Sequence, residues 1–187
     1  MELRVIGGIY GKRRLAVPNA AGLRPTGNRI RETLFNWIAD EVAGARVLDL
    51  FAGTGALGIE ALSRGASHVV FVERADRLAA ALRDNLARLG AENARVLRAD
   101  ARQYLSRHSG PFDIVFLDPP FRSAIIGAVC AQLASEGWLA PGGLVYMEYE
   151  ARSGRVDLPS AWSVVRERQA GGVGYALARR DEANAER

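Results

Sequence analysis

The chain has 187 residues, 49% of them hydrophobic, a formal net charge of +4 and a single cysteine, Cys130. This suffices for one domain with a sizeable core and excludes a disordered chain, an internal disulfide and a cysteine-rich zinc site. No apolar run approaches the roughly 18 residues of a membrane span. No signal peptide opens the chain either, so a cytoplasmic protein without a membrane partner is expected.

The charge is uneven. Residues 1–31 hold seven basic groups (Arg4, Lys12, Arg13, Arg14, Arg24, Arg29 and Arg31) against Glu2 alone, net +6, whereas the remainder carries 18 basic and 20 acidic groups. Such an arm fits a polyanionic partner, and these seven residues are the candidate RNA contacts. Lys12 is the only lysine. Arginine binds phosphate bidentately and stacks on bases, which suits RNA. Outside the arm, a bias towards arginine codons accounts for the same preference.

Leu3 to Ile9 is apolar enough for a strand, broken by Gly7, Gly8 and Gly11. Lys12 to Val17 is its hairpin partner, so residues 1–22 read as a small basic β appendage and residues 23–187 as the main domain. Pro25 and Thr26 introduce a helix whose apolar stripe runs through Ile30, Leu34, Trp37 and Ile38, with Glu41 at its edge. Arg29 and Arg31 lie off that stripe. Val47 to Phe51 is a short buried strand, followed by a helix from Ala56 to Arg64 that Gly65 stops. A second strand, His68 to Val72, ends in Glu73. A helix from Ala75 to Leu89 turns Leu78, Leu82 and Leu89 inward and stops at Gly90. A third strand, Arg95 to Leu97, ends near Asp100, and a short helix follows from Ala101 to Arg107. Phe112 to Leu117 is a fourth strand, Ser123 to Leu133 a helix, and Leu144 to Tyr149 a fifth strand. Trp162 to Glu167 and Val173 to Ala178 close the chain as two consecutive strands around Gly171 and Gly172. Residues 181–187 read as a frayed polar tail.

Strands alternating with helices predict an α/β fold: a doubly wound, mostly parallel Rossmann-like sheet with helices on both faces and an antiparallel closing strand. In such sheets the ligand lies at the carboxyl ends of the strands. Asp49, Glu73, Asp100 and Asp118 all fall at or just past such ends.

Gly53, Gly55 and Gly58 form G-x-G-x-x-G between a strand and a helix, a turn in which backbone comes close to a ligand. The fingerprint is shared with dinucleotide-binding folds and leaves the ligand open. Asp49, four residues before Gly53, would repel a pyrophosphate. It suits a ligand carrying positive charge, such as S-adenosylmethionine; as an alternative it merely hydrogen-bonds the turn. Glu73 lies 20 residues after Gly53, the spacing at which an acidic residue meets ribose hydroxyls. Asp100 can accept from an adenine amino group beside the Ala101 N–H, or cap the helix that starts there.

Asp118-Pro119-Pro120-Phe121 is the second sharp signal. The Asp118 carboxylate and the Pro119 carbonyl are two acceptors, and Phe121 is an aromatic plate. Together they suit a planar base bearing an exocyclic amine, held by its N–H groups and stacked on the ring. Proline removes competing N–H donors and stiffens the turn. There is no metal-ligand cluster. His68 and His108 are far apart in the pattern, and Cys130 sits in a helix away from the strand ends, so neither a metal nor a covalent intermediate is expected.

With these residues in view, the core from about residue 46 to 149 resembles a class I S-adenosylmethionine-dependent methyltransferase. Asp49 to Gly55, with Phe51, Ala52, Gly53 and Thr54, matches its cofactor loop. Asp118 to Phe121 matches the (Asp/Asn)-Pro-Pro-(Tyr/Phe) motif of amino-group methyltransferases, with Phe in place of the more frequent Tyr. Ile6-Gly7-Gly8, Leu23-Arg24-Pro25-Thr26 and Arg29-Ile30-Arg31-Glu32-Thr33-Leu34-Phe35-Asn36 resemble the RsmD family of bacterial 16S ribosomal RNA guanine-N2 methyltransferases. The resemblance covers nearly the whole chain, although Ala170 to Arg180 matches loosely. It implies S-adenosylmethionine as cofactor and guanine-966 of the small ribosomal subunit, or of an assembly intermediate, as target. A monomer is expected. Three alternatives stay open at this stage. They are an NAD-dependent oxidoreductase, a DNA adenine amino-methyltransferase and a non-catalytic RNA-binding protein on a relic methyltransferase fold.

Overall fold

The computed structural model describes residues 2–18, 27–106, 110–120, 123–135, 137–154 and 156–182. Arg24, Pro25, Thr26, His108 and Phe121 lie outside the described residues.

A two-stranded antiparallel hairpin, β1 (Glu2–Arg4) and β2 (Arg14–Ala16), opens the chain. Then come α1 (Asn28–Trp37), β3 (Arg46–Asp49), α2 (Ala56–Ser63), β4 (His68–Glu73), α3 (Asp76–Leu89), β5 (Ala94–Arg98), α4 (Ala101–Leu105), β6 (Phe112–Leu117), α5 (Ser123–Ser135), β7 (Leu139–Glu150), β8 (Trp162–Ala170) and β9 (Val173–Arg180). The seven strands from β3 onward form one sheet in the order β5-β4-β3-β6-β7-β9-β8. The first five in that order are parallel, and β9 pairs antiparallel with both β7 and β8. The order reverses at β3, which lies between β4 and β6, and that is where an open α/β sheet places its ligand. No described helix is long and apolar enough to cross a membrane.

The expected elements are present with shifted ends. The first strand is shorter than Leu3 to Ile9, because the chain turns at Gly8 (φ 72°) and Lys12 (φ 68°). The fifth sheet strand is longer: Leu139 already pairs with Phe112, and the register shifts before Ile114 pairs with Leu144. The first helix ends at Trp37, and Glu41, in the turn beyond, binds Arg179 at 3.0 Å.

Both faces of the central strands are buried, as a parallel sheet requires, while the edge strands β5 and β8 are largely open. On one face Val47, Val69, Phe71, Ile114, Phe116, Leu144, Tyr146 and Leu177 pack against α1, α2 and α3. On the other, Leu48, Val70, Val72, Val115, Leu117, Val145 and Met147 pack against α4, α5 and Trp138. Gly58 permits the close approach of α2 to the first face: a Cβ there would stand 2.2 Å from the Phe71 ring. The hairpin joins this face through Leu3, Val5, Leu15 and Val17.

A buried carboxylate fastens the hairpin. Glu60, on α2, is fully buried and accepts the Ile6 and Gly7 N–H groups at 2.8 and 2.9 Å. It also accepts Arg64 Nε at 2.9 Å and lies 3.8 Å from Arg31 Nη1. Arg31 is 1% exposed and donates to the Arg4 carbonyl at 2.9 Å and to Asn28 Oδ1 at 2.6 Å. Burial lowers the Arg31 pKa, and the Glu60 charge opposes that shift. Removing one partner of a buried ion pair leaves the other charge uncompensated, at about 3–5 kcal/mol. Glu60→Gln should therefore lower stability by about that amount in urea unfolding, with the hairpin amides losing protection from hydrogen exchange first. A variant as stable as the parent would show that the hairpin is held by its apolar contacts alone.

Candidate active site

The strand register builds the site. Asp49 is level with Phe71 on β4 and with Phe116 on β6, and Phe116 is level with Tyr146 on β7. Side chains alternate along a strand, so residues two further on leave by the same face. That next row is Glu73, Asp118 and Glu148. β3 has no place in it, because its strand ends at Asp49 and the chain turns into the glycine loop. A notch therefore opens above Asp49, with Glu73 on one side and Asp118 on the other.

Asp49 forms the floor of the notch. It is 2% exposed, and its Oδ2 accepts the N–H of Gly58 in the first turn of α2 at 3.0 Å. This carboxylate serves the helix start in place of a side-chain cap, since the N-cap is Gly55 (φ 78°). Burial pushes the Asp49 carboxyl from its ordinary 3.8 up to about 7; the Gly58 N–H opposes the shift, and the Asp118 and Glu73 charges add to it. The turn-binding role is thus observed, and a positive ligand in the notch would return the group to its charged form.

Glu73 braces the loop from the other side. Its Oε2 accepts the Gly53 N–H at 2.8 Å and its Oε1 the Ala75 N–H at 2.6 Å. The Ala52 N–H bonds the Val72 carbonyl at 3.0 Å. Thr54 and Ala52 are buried, and Phe51 and Gly53 are half-buried. Asp100 caps α4 through Oδ1, which accepts from Arg102 and Gln103 at 3.0 and 3.4 Å. Ala101, its neighbour, is buried. A fixed cradle with a buried carboxylate beneath it and acidic groups along it fits a ligand with a cationic centre and ribose hydroxyls.

Asp118 is half-buried just past β6, Pro119 is buried and Pro120 exposed. Glu148, the third member of the row, escaped the reading of the sequence. It is 8% exposed and accepts the Tyr146 hydroxyl at 2.8 Å. The available signal was a lone carboxylate at inward parity in the apolar run Leu144-Val145-Tyr146-Met147. Among the described residues, no group of three or more His, Cys, Asp or Glu is arranged to hold a metal ion.

The basic arm divides. Arg4, Lys12, Arg13, Arg14 and Arg29 are exposed, Arg14 beside Glu2 at 3.5 Å. Arg31 corrects the expectation: it is buried against Glu60 and the Arg4 carbonyl and is no surface RNA contact. The turn carrying Lys12 is tied to the last turn of α2, where the Ile9 and Tyr10 N–H groups bond Ser63. That end of α2 is about 12 Å from the glycine loop, given the rise of an eight-residue helix.

Comparison with known proteins places this geometry. The model of the family described as "Conserved hypothetical protein 95" matches residues 3–179. A ribosomal RNA small subunit methyltransferase D from Escherichia coli is 45% identical over 96% of this chain and 91% of its own length. The solved structure of a putative methyltransferase from Escherichia coli superposes with a TM-score of 0.91 at 42% identity, covering 97% of this chain and 99% of the other. A more distant likeness, of fold alone, is to a putative methyltransferase complexed with SAH: 18% identity, TM-score 0.72, over 89% of this chain and 53% of the other. The chain belongs to the Conserved hypothetical protein 95 family, the family of the ribosomal RNA small subunit methyltransferase D proteins.

Proposed function

We propose that this protein transfers a methyl group from S-adenosylmethionine to the exocyclic N2 amine of a guanine in 16S ribosomal RNA, within the small subunit or its precursor. By the family resemblance the target is guanine-966. The observation that carries the reading is the position of Asp118. It stands beside the cofactor notch, one row above Asp49, on a turn whose next residue, Pro119, can offer a carbonyl acceptor and no N–H.

The cofactor supplies an electrophilic sulfonium methyl group. Asp49 and the loop Phe51–Gly55 hold its cationic end, Glu73 accepts from the ribose hydroxyls, and Asp100 with the Ala101 N–H meets the adenine. The guanine amine is a poor nucleophile because its lone pair is delocalised into the ring. Asp118 and the Pro119 carbonyl accept its two N–H groups and aim the nitrogen at the methyl carbon, and Phe121 stacks on the base. Alignment at about 3–3.5 Å contributes several kcal/mol. Positive charge grows on nitrogen during transfer, so Asp118 holds the amine more strongly in the transition state than before it. The proton then leaves to Asp118 or to water. Arg4, Lys12, Arg13, Arg14, Arg24 and Arg29 contribute phosphate contacts, and RNA affinity should fall with salt because releasing counterions into more concentrated salt gains less.

The Asp49 pKa gives a pH dependence. The folded carboxyl titrates near 7, against an ordinary 3.8 in the unfolded chain. Between those values the folded state binds more protons, so this group's contribution to stability falls as pH rises to about 7 and is flat above. The cationic cofactor favours the ionised form, so cofactor affinity should rise with pH up to about 7 and level off there. Asp49→Asn should remove that slope in calorimetric titrations between pH 5.5 and 8. An unchanged slope in the variant would exclude Asp49 as its source.

The reaction itself is tested at Asp118. Asp118→Ala should slow single-turnover methylation of unmodified small subunits by about 10²–10⁴-fold, the scale of losing one electrostatic or general-base group. Cofactor affinity should barely change. Asp118→Asn should be milder, since the amide oxygen still accepts. Methyl transfer by Asp118→Ala at near the parent rate would refute the assignment of this motif to an amine.

A further inference from the structure

The row that carries Asp118 continues into Glu148. Leu117, the last residue of β6, is level with Met147, so Asp118, just past the end of that strand, lies beside Glu148 of β7. Glu148 is level with Tyr175 on β9, whose ring stacks on Trp37 of α1 at 5.4 Å between centroids. A carboxylate at this depth is costly unless hydrogen bonds satisfy it. The Tyr146 hydroxyl donates to it at 2.8 Å. That hydroxyl stays a donor: burial, then the charges of Glu148 and Asp118, raise its pKa well above the ordinary value. Both carboxylates are therefore within electrostatic reach of one phenol, and Tyr146 holds the Glu148 carboxylate in place.

The edge of a base that carries the reacting amine differs between bases. Guanine presents its N1–H next to the N2 amine, so the N1–H and one amine N–H are parallel while the second amine N–H points to the sugar edge. Adenine and cytosine present a ring nitrogen lone pair next to their amine. Asp118 and the Pro119 carbonyl account for two of the three guanine donors. Glu148, beside Asp118, supplies a third acceptor at the side.

We infer that Glu148 is the specificity-determining residue of this site, its carboxylate accepting the N1–H of the target guanine while Asp118 and the Pro119 carbonyl hold the N2 amine. The inference rests on the guanine-N2 reading given above. A base with a ring acceptor at that position sets its lone pair against a buried carboxylate. Rejection built this way is strong, because both groups lose hydrogen bonds that water would supply.

Three small-subunit particles decide it, assembled on 16S RNA whose target nucleotide is guanine, inosine or 2,6-diaminopurine. Inosine keeps the N1–H and lacks the amine; 2,6-diaminopurine keeps the amine and has an acceptor at N1. The parent protein should methylate guanine, leave inosine unmodified, and methylate diaminopurine about 10²-fold or more slowly in kcat/KM. In Glu148→Gln, with Tyr146 holding the amide oxygen, the amide N–H can meet the diaminopurine acceptor. The preference for guanine should then shrink by about 10-fold or more. A parent protein that methylates diaminopurine within about 3-fold of guanine overturns the inference, even if the variant cannot be folded. So does a Glu148→Gln variant that slows both substrates equally, which marks a residue acting through Asp118 alone. Methylation of the inosine particle would instead refute the amine reading on which the inference rests.

Discussion

A buried carboxylate under a helix start organises this molecule. Asp49 gives up bulk water to bond the Gly58 N–H, and burial holds its carboxyl near neutrality at a pKa of about 7. That bond fixes where α2 begins relative to β3, so the glycine turn between them has one shape. Glu73 completes the arrangement by accepting the Gly53 N–H from the neighbouring strand. The cradle is preorganised before any ligand arrives, which limits the ordering cost of binding. A charge kept close to its titration point is unfavourable for folding alone. It is accounted for if its partner is a cationic ligand.

The sheet register converts this constraint into a site. Because β3 stops at Asp49 while β4 and β7 run on, the carboxylates of Glu73, of Asp118 just past β6, and of Glu148 border a notch rather than a continuous sheet edge. All share one face by the two-residue alternation of strands. The groups proposed to hold the cofactor and those proposed to accept from the substrate amine thus lie side by side. The same face receives α2 above Glu60, which ties the basic hairpin to the body of the fold.

Much of this was legible in the amino acids. Periodicity and glycine stops located nearly every element, and the acidic residues expected at the strand ends stand along one edge of the sheet. Two features were not legible. Arg31 is identical in type to its exposed neighbour Arg29, and only the packing of the hairpin against α1 and α2 reveals that its partner is Glu60, 29 residues away. Glu148 sits among apolar residues of a strand whose neighbours are unknown until β6 and β9 are placed beside it. Local pattern reports what a residue can do; non-local pairing decides what it faces. Asp100 stands between these cases, since its capping role was one of two readings open in the sequence and the structure displays it at 3.0 Å.

The central claim is that this fold presents one amine, the N2 of a guanine in small-subunit RNA, to a methyl donor. The direct measurement is transfer of a labelled methyl group from S-adenosylmethionine to small subunits lacking the modification, followed by digestion of the RNA and mapping of the labelled nucleotide. One N2-methylguanine at one position of 16S ribosomal RNA is the result this account predicts. Label in ribosomal protein, on an adenine amine, or at a ring carbon or ring nitrogen of any base would contradict it.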